Sequence, residues 1–130
     1  MISYEEASDI REKVVEIVLA AGFVHIKAER LFCIRSHGSK TRRVIARCHS
    51  LPKIMQKVLN AYPCYVIEVI SERFDRLPEE EKTKTLIHEL MHIPKSFGGG
   101  FIHHNVVNSR AVQKILQKIG NISIEKEVLK

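Results

Sequence analysis

The sequence predicts an α+β domain in which a small sheet is flanked by helices. Apolar residues recur at helical spacing near both ends of the chain, and the middle of the chain contains short β-rich runs. Glycine and proline separate these segments, and no internal repeat or low-complexity stretch interrupts them. We expect one domain over residues 1–130, with about three short, mostly antiparallel strands.

The first predicted element is a helix over about residues 4–20. Ser3 and Glu6 have the spacing of a capping box, and the apolar residues that follow recur every three or four positions. Gly22 stands where a C-cap glycine is typical.

A hairpin and a short helix are predicted next. The β-rich runs 31–35 and 43–48 flank a polar, glycine-containing loop, which is typical of a hairpin. Pro52 suits the first position of a helix that runs to about Asn60. Its apolar residues are expected to face inward: Ile54, Met55, Val58 and Leu59.

The second half of the chain contains the clearest strand and two further helices. Tyr65–Ile70 reads YVIEVI, and the acidic run after Pro78 indicates the start of a helix that ends near His92, before Pro94. A Gly98–Gly100 loop follows. Asn108 or Ser109 then caps a last helix, which Gly120 is expected to close, and residues 121–130 are left unassigned.

Composition excludes several classes of protein. The chain has 130 residues, 45% of them hydrophobic and 28% charged, which argues against global disorder. No apolar run reaches the roughly 18 residues of a membrane-spanning helix, and the first residues lack the apolar core of a signal peptide. Cys33, Cys48 and Cys64 form no CxxC pair and are expected to be reduced, packed thiols. We therefore expect a cytoplasmic protein with no membrane partner.

The net charge of +6 is concentrated in one basic segment, residues 30–57. This segment contains eight Lys and Arg residues and no Asp or Glu. The asymmetry is typical of a face that contacts nucleic acid, although a well-solvated surface gives the same pattern. The candidate nucleic-acid contacts are Arg35, Lys40, Arg42, Arg43 and Arg47.

Residues 88–92 read HELMH, an HExxH motif near the C-terminal end of a predicted helix. Because four residues advance a helix by slightly more than one turn, His88 and His92 point the same way, about 40° apart. Glu89 lies beside them on the polar side of the helix. Two imidazoles at this spacing suit zinc, and the carboxylate suits a general base. The motif therefore predicts a catalytic metal centre, with two solvent-facing histidines as the alternative.

A catalytic zinc ion needs a third protein ligand. After Glu89 there is no Asp or Glu until Glu125, which excludes a nearby carboxylate. The remaining candidates are His103 and His104, which follow the glycine loop. Residue types alone do not choose between them.

The segment HELMHIPKSFGGGFIHH, with YVIEVISERFDRLPEEEKTKTLI before it, resembles the metallopeptidases of prokaryotes and phages that are akin to SprT-like zinc proteases. The stretch RLFCIRSHGSKTRRVIARCHSLPKI is similar to a hairpin of that family, so the resemblance covers about two-thirds of the chain. It implies a zincin-like fold with the HExxH helix lining the cleft. It also implies one zinc ion on His88, His92 and His104, with Glu89 as the catalytic base.

Two departures from related patterns bear on the site. The metzincin pattern HExxHxxGxxH does not fit, because His104 comes 12 residues after His92. Many relatives carry an Arg-Pro pair before the last histidine, where this chain has Ile102-His103. His103, Tyr65 and Arg110 are candidates for the role of that arginine in the transition state. His103 is also the alternative third ligand.

The resemblance implies a zinc-dependent peptidase that hydrolyses a protein or peptide through a zinc-activated water. Tyr65–Ile70 could serve as an edge strand for an extended substrate. Two alternatives stay open: a metal-dependent RNA-processing nuclease and a noncatalytic, zinc-containing nucleic-acid binder. The bacterial rRNA maturation endonucleases also place three histidines on a helix and the loop after it. They lack a Glu directly after the first histidine, so Glu89 favours proteolysis.

Overall fold

A four-stranded mixed sheet forms the centre of the fold. The computed structural model describes residues 1–128, with side chains up to Asn121. The strands are β1 (Ser3–Glu6), β2 (Leu31–His37), β3 (Ala46–Ser50) and β4 (Tyr65–Ile70). The helices are α1 (Ser8–Ala21), α2 (Lys53–Leu59), α3 (Ser71–Phe74), α4 (Glu79–Met91) and α5 (Ser109–Val128). The predicted α+β class, with helices flanking a small sheet, is confirmed, and the sheet has four strands where about three were expected.

The strand order is β1-β2-β4-β3, so β4 lies inside the sheet. It pairs in parallel with β2 and antiparallel with β3. The predicted hairpin is therefore wrong, because β4 separates its two strands. Five of the six residues of β4 are buried, and so apolar a strand is best accommodated with a neighbour on each side. The suggestion that Tyr65–Ile70 is a free edge is wrong for the same reason, since β1 and β3 are the edges.

The N-terminal residues form an edge strand in place of the predicted first turn of a helix. Ser3–Glu6 pairs antiparallel with β2, and all four residues are exposed. The capping-box prediction is wrong because backbone pairing with β2 takes precedence over local capping. α1 then begins at Ser8 and ends at Ala21, followed by Gly22, which has a φ of 71°. The Gly22 N–H donates to the Leu19 carbonyl, so the predicted C-cap is confirmed.

The hydrophobic core lies between one face of the sheet and helices α1, α4 and α5. Val14 of α1 and Leu86 and Leu90 of α4 are fully buried against Ile67 and Val69 of β4. The helix predicted to end before Pro94 is confirmed as α4. Its buried side fixes the direction in which the polar side of α4 faces.

α2 forms where Pro52 predicts a helix, but its apolar residues do not face inward. Ile54 and Val58 are each 73% exposed. The side chain turned toward the protein is that of Gln56, whose Nε2 donates to the carbonyls of Leu51 and Gly98. The prediction is wrong because this polar anchor sets the rotation of a helix of only seven residues.

The last helix is longer than expected. α5 runs through Gly120 to Val128, so the predicted end at Gly120 is wrong. One glycine inside a helix costs about 1 kcal/mol relative to alanine and does not by itself end the helix. The unassigned tail, residues 121–130, belongs to this helix as far as residue 128, and its last two residues lie outside the described part. Over residues 1–128, no helix is long and apolar enough to cross a membrane.

Candidate metal centre

The first two histidines of the site lie at the C-terminal end of α4. His88 is in its last full turn, and His92 is the C-cap residue with right-handed helical backbone angles. The buried leucines of α4 orient this end, so both imidazoles point into the same cleft. Their Nε2 atoms are 3.2 Å apart. His92 is only 6% exposed, and His88 is half-buried.

The chain after α4 turns back because of its glycine loop. Gly99 has a φ of 110°, and a Cβ atom there would lie 2.7 Å from the Leu51 carbonyl oxygen. Only glycine fits this position. The predicted loop is confirmed at this residue, and it returns the chain to the end of α4.

Two hydrogen bonds join the returning chain to His92. The Ile102 N–H donates to the His92 carbonyl at 2.8 Å, and His92 Nδ1–H donates to the Ile102 carbonyl at 2.6 Å. The second bond places the proton on Nδ1 and leaves the Nε2 lone pair directed into the cleft. It therefore orients His92 as a ligand.

His104 completes a group of three histidines that can hold a metal ion. One ring nitrogen from each of His88, His92 and His104 lies within 4.8 Å of the other two. The rings of His92 and His104 are edge-on, with centroids 4.5 Å apart. Zinc–nitrogen bonds of about 2.0–2.1 Å in tetrahedral geometry separate ligand nitrogens by roughly 3.4 Å, close to the distance between His88 and His92.

The electrostatics of the group suit a cation. Burial lowers the pKa of His88, and the neighbouring His92 and His104 lower it further. A lowered pKa keeps the imidazole neutral, which is the form that binds a metal. A donor set of three imidazole nitrogens fits zinc, and the carboxylate nearest in sequence is Glu89.

Glu89 lies on α4 with only 9% of its surface exposed. Burial raises the pKa of its carboxyl to about 7, and the backbone N–H of Cys48 on β3 partly opposes this rise. A carboxyl with a pKa near neutrality exchanges a proton readily at neutral pH. Glu89 lines the same cleft as the histidines, but it is buried, whereas the sequence placed it on the polar side of the helix.

The metal group opens into a cleft of about 860 Å³ between β3 and α4. β3 is an edge strand. Two backbone hydrogen bonds, one at each of its ends, show which of its residues bond to β4. The Ile70 N–H donates to the Ile45 carbonyl, and the Leu51 N–H donates to the Cys64 carbonyl. Because pairing alternates along an antiparallel ladder, the backbone groups of Ala46, Cys48 and Ser50 point away from β4. The edge strand that borders the cleft is therefore β3 and not β4.

His103 lies outside the three-histidine group. Its side chain is exposed at the cleft wall, and its backbone carbonyl accepts hydrogen bonds from the N–H groups of Val106 and Val107. The residue types of the sequence left His103 and His104 equivalent. The structure separates them, since the turn at His103 brings the next side chain toward α4.

The five basic residues predicted as nucleic-acid contacts do not form one patch. Arg35 donates to the carboxylates of both Asp9 and Asp75, and Arg47 pairs with the buried Glu68. Lys40, Arg42 and Arg43 make no ion pair with any side chain described for residues 1–121. Of these five residues, Arg43 and Arg47 line the metal cleft, and among the described side chains only Arg47 of the two has a carboxylate partner.

Two residues support the site in a way that the sequence did not predict, although Tyr65 was proposed there for a different role in the transition state. The hydroxyl of Tyr65 contacts the glycine loop, and Gln56 ties that loop to the segment after β3. A buried tyrosine at the start of an apolar strand needs a partner for its hydroxyl, and this was the available signal. Nothing in the sequence pattern indicated Gln56.

A helix that carries two histidines and a glutamate, with a third histidine returned to it by a loop, is the arrangement of metal-dependent hydrolases. A family model described as "Putative phage metallopeptidase" matches residues 2–126. The chain therefore belongs to the phage metallopeptidase family. No curated protein and no solved structure matches the chain.

Proposed function

We propose that the chain is a zinc-dependent peptidase in which His88, His92 and His104 hold one zinc ion and Glu89 is the general base. The observation that carries this proposal is the meeting of three ring nitrogens within 4.8 Å in a cleft beside a buried carboxyl. Family membership supports a peptide or protein substrate.

When bound, zinc would supply a Lewis acid that polarises the peptide carbonyl and makes a water molecule more acidic. Glu89 takes the proton of the attacking water and passes it to the leaving amine. A pKa of about 7 suits both steps, because the carboxyl can accept and release a proton at neutral pH. His92 is held in one tautomer by the Ile102 carbonyl throughout.

The substrate would lie along β3. The outward backbone groups of Ala46 and Ser50, together with the Cys48 carbonyl, offer donors and acceptors to an extended peptide, which then adds a strand to the sheet. The Cys48 N–H is already directed at the Glu89 carboxyl. The cleft between this edge and α4 leads such a peptide past the three histidines. In this proposal an extended substrate pairs with β3, where the sequence analysis had suggested pairing with Tyr65–Ile70.

The experiment that tests this function compares Glu89→Gln with Glu80→Gln, an exposed residue on the same helix. With zinc-loaded protein and an unfolded protein substrate, Glu89→Gln should lower kcat by about 10²- to 10⁴-fold while zinc content stays the same. Glu80→Gln should leave both unchanged. Cleavage of structured RNA but not of protein, lost in Glu89→Gln, would overturn the peptidase in favour of the nuclease.

Recruitment to nucleic acid stays a prediction with less support, since Arg35 and Arg47 already have carboxylate partners. It is tested by the salt concentration at which the protein elutes from DNA and RNA columns. An unchanged elution in Arg42→Ala/Arg43→Ala would leave the basic segment as a solvated face. A cytoplasmic location likewise remains a prediction, based on the three unpaired cysteines.

A further inference from the structure

A second groove, of about 530 Å³, lies beside the metal cleft and is surrounded by arginines. Two of them come from the connection between β2 and β3, and two come from α3 and the turn after it. Its floor is aliphatic. The lining residues are Arg42, Arg43, Arg73, Arg76, Ile45 and Leu77. We call this feature the arginine groove.

The arginine groove has no counter-charge among the side chains described for residues 1–121. None of its four arginines forms an ion pair, and Arg76 donates instead to the backbone carbonyl of Glu72. The nearby carboxylates are engaged elsewhere: Glu72 accepts from the Gly38 N–H, and Asp75 accepts from Arg35 and Ser71. Four unpaired positive charges around one groove create a potential that attracts anions.

The arginine groove is continuous with the metal cleft. Arg43 and Ile45 line both, and they lie within three residues of the start of β3. A peptide extended along β3 rises about 3.3 Å per residue. A chain that passes the histidines near Cys48 therefore reaches the groove roughly four to six residues from the bond being cleaved.

We propose that the arginine groove is a substrate subsite that binds acidic side chains of a peptide, so that the enzyme prefers substrates with Asp or Glu several residues from the cleaved bond. This rests on the proposed function, since it deepens the choice of substrate at the same cleft. Guanidinium groups pair with carboxylates in bidentate geometry, which gives such a subsite specificity as well as charge.

A peptide fits the groove better than a nucleic acid does. No aromatic side chain lines the groove, whereas proteins that bind single strands stack bases on aromatic rings. The floor of Ile45 and Leu77 suits the aliphatic stems of glutamate side chains. The groove also opens onto the strand edge that an extended peptide would follow.

The binding test uses the full chain carrying Glu89→Gln, which separates binding from cleavage. Fluorescence anisotropy is measured with a dye-labelled 12-residue peptide that carries three Glu at one end, and with its Gln counterpart. A second pair places the Glu residues at the other end. One acidic peptide should bind at least about tenfold more tightly than its Gln counterpart at low salt, and the difference should shrink at high salt.

Arg42→Gln/Arg76→Gln should abolish this preference, whereas Lys53→Gln/Lys57→Gln, which removes the same charge from exposed positions on α2, should keep it. All four substituted residues are exposed, and equal thermal unfolding of both variants verifies the fold. Equal binding of Glu and Gln peptides would overturn the proposal. So would tighter binding of an oligonucleotide of equal charge that depends on the same arginines.

The failure of the arginine groove and the failure of the proposed function give different results. Selective binding of the acidic peptide by a chain that cleaves no peptide would support the arginine groove and reject the proposed function. Cleavage of Glu and Gln peptides with equal kcat/KM would support the function and reject the groove.

Discussion

The hydroxyl of Tyr65 donates a hydrogen bond to the Gly100 carbonyl at 2.8 Å and accepts one from the Gly99 N–H at 2.9 Å. Tyr65 itself is fully buried, with its ring packed against Phe97 at a centroid distance of 4.8 Å. A residue of the central strand therefore holds the loop that returns the chain to the metal group. Because both hydrogen bonds are internal, its hydroxyl is not available to a substrate.

Tyr65→Phe should weaken zinc binding without removing a ligand. The ring still fills its place in the core, but the glycine loop loses two hydrogen bonds, and His104 is then held less firmly. We expect about a tenfold rise in the zinc Kd, in the range seen for residues that orient metal ligands, and a loss of stability of about 1–2 kcal/mol. Competition with a chelating dye measures the Kd, and urea unfolding measures the stability.

Tyr62→Phe is the matched control, since Tyr62 is 80% exposed and lies outside the metal group. It should change neither quantity. If Tyr65→Phe lowered stability and left the zinc Kd at the wild-type value, the hydroxyl would serve the fold and not the site.

His103 and His104 are adjacent, and exchanging each for alanine distinguishes their roles. His104→Ala removes one of three ligand nitrogens and should raise the zinc Kd by about 100-fold or more. His103→Ala removes an exposed ring and should leave zinc content unchanged. Metal analysis of the purified variants checks both. Loss of zinc only from His103→Ala would show that the loop presents the other histidine.

Two of the cysteines should react slowly with alkylating reagents. Burial raises the pKa of the Cys33 thiol to about 12, and burial together with the charge of Glu89 does the same for Cys48. Because the thiolate is the reactive form, both should be labelled far more slowly at pH 8 in the folded chain than in urea. Mass spectrometry of digested protein measures each site. Equal rates at Cys48 in the folded and unfolded chain would contradict a packed thiol.

The metal helix was predictable because its evidence is local. The spacing of His88 and His92, the acidic first turn of α4 and Pro94 all act within a few residues. The identity of the third ligand was not predictable from residue types, because His103 and His104 differ only in how the turn before α5 directs them. The resemblance to a family pattern made that choice.

The pairing of the strands could not be predicted from the sequence pattern. Only a short loop separates residues 31–35 from residues 43–48, and this local arrangement favours a hairpin. Tyr65–Ile70 pairs with both because its burial favours the centre of the sheet, and this competition involves residues 15 to 34 positions apart. The ion pair of Arg47 with Glu68 follows from that strand pairing, and Arg35 meets Asp9 and Asp75 from two other elements. The basic segment is therefore less accessible than its sequence suggested.

Arg35 should stabilise the fold at neutral pH and contribute little in acid. It bridges Asp9 and Asp75, and its hydrogen bonds hold the pKa of both carboxyls below the usual value near 3.8, although partial burial opposes this. A lowered folded-state pKa gives stability that is present above the unfolded pKa and is lost as pH falls through the folded one. Arg35→Gln should therefore lower the free energy of unfolding by about 1–2 kcal/mol at pH 7, and wild type and variant should converge at an acid pH well below the usual carboxyl value near 3.8. Urea unfolding at both pH values measures the difference.

Lys13→Gln, which removes a single pair with the exposed Glu79, is the control and should cost less than about 0.5 kcal/mol. A difference that persisted unchanged at low pH would assign the effect of Arg35 to packing and not to charge.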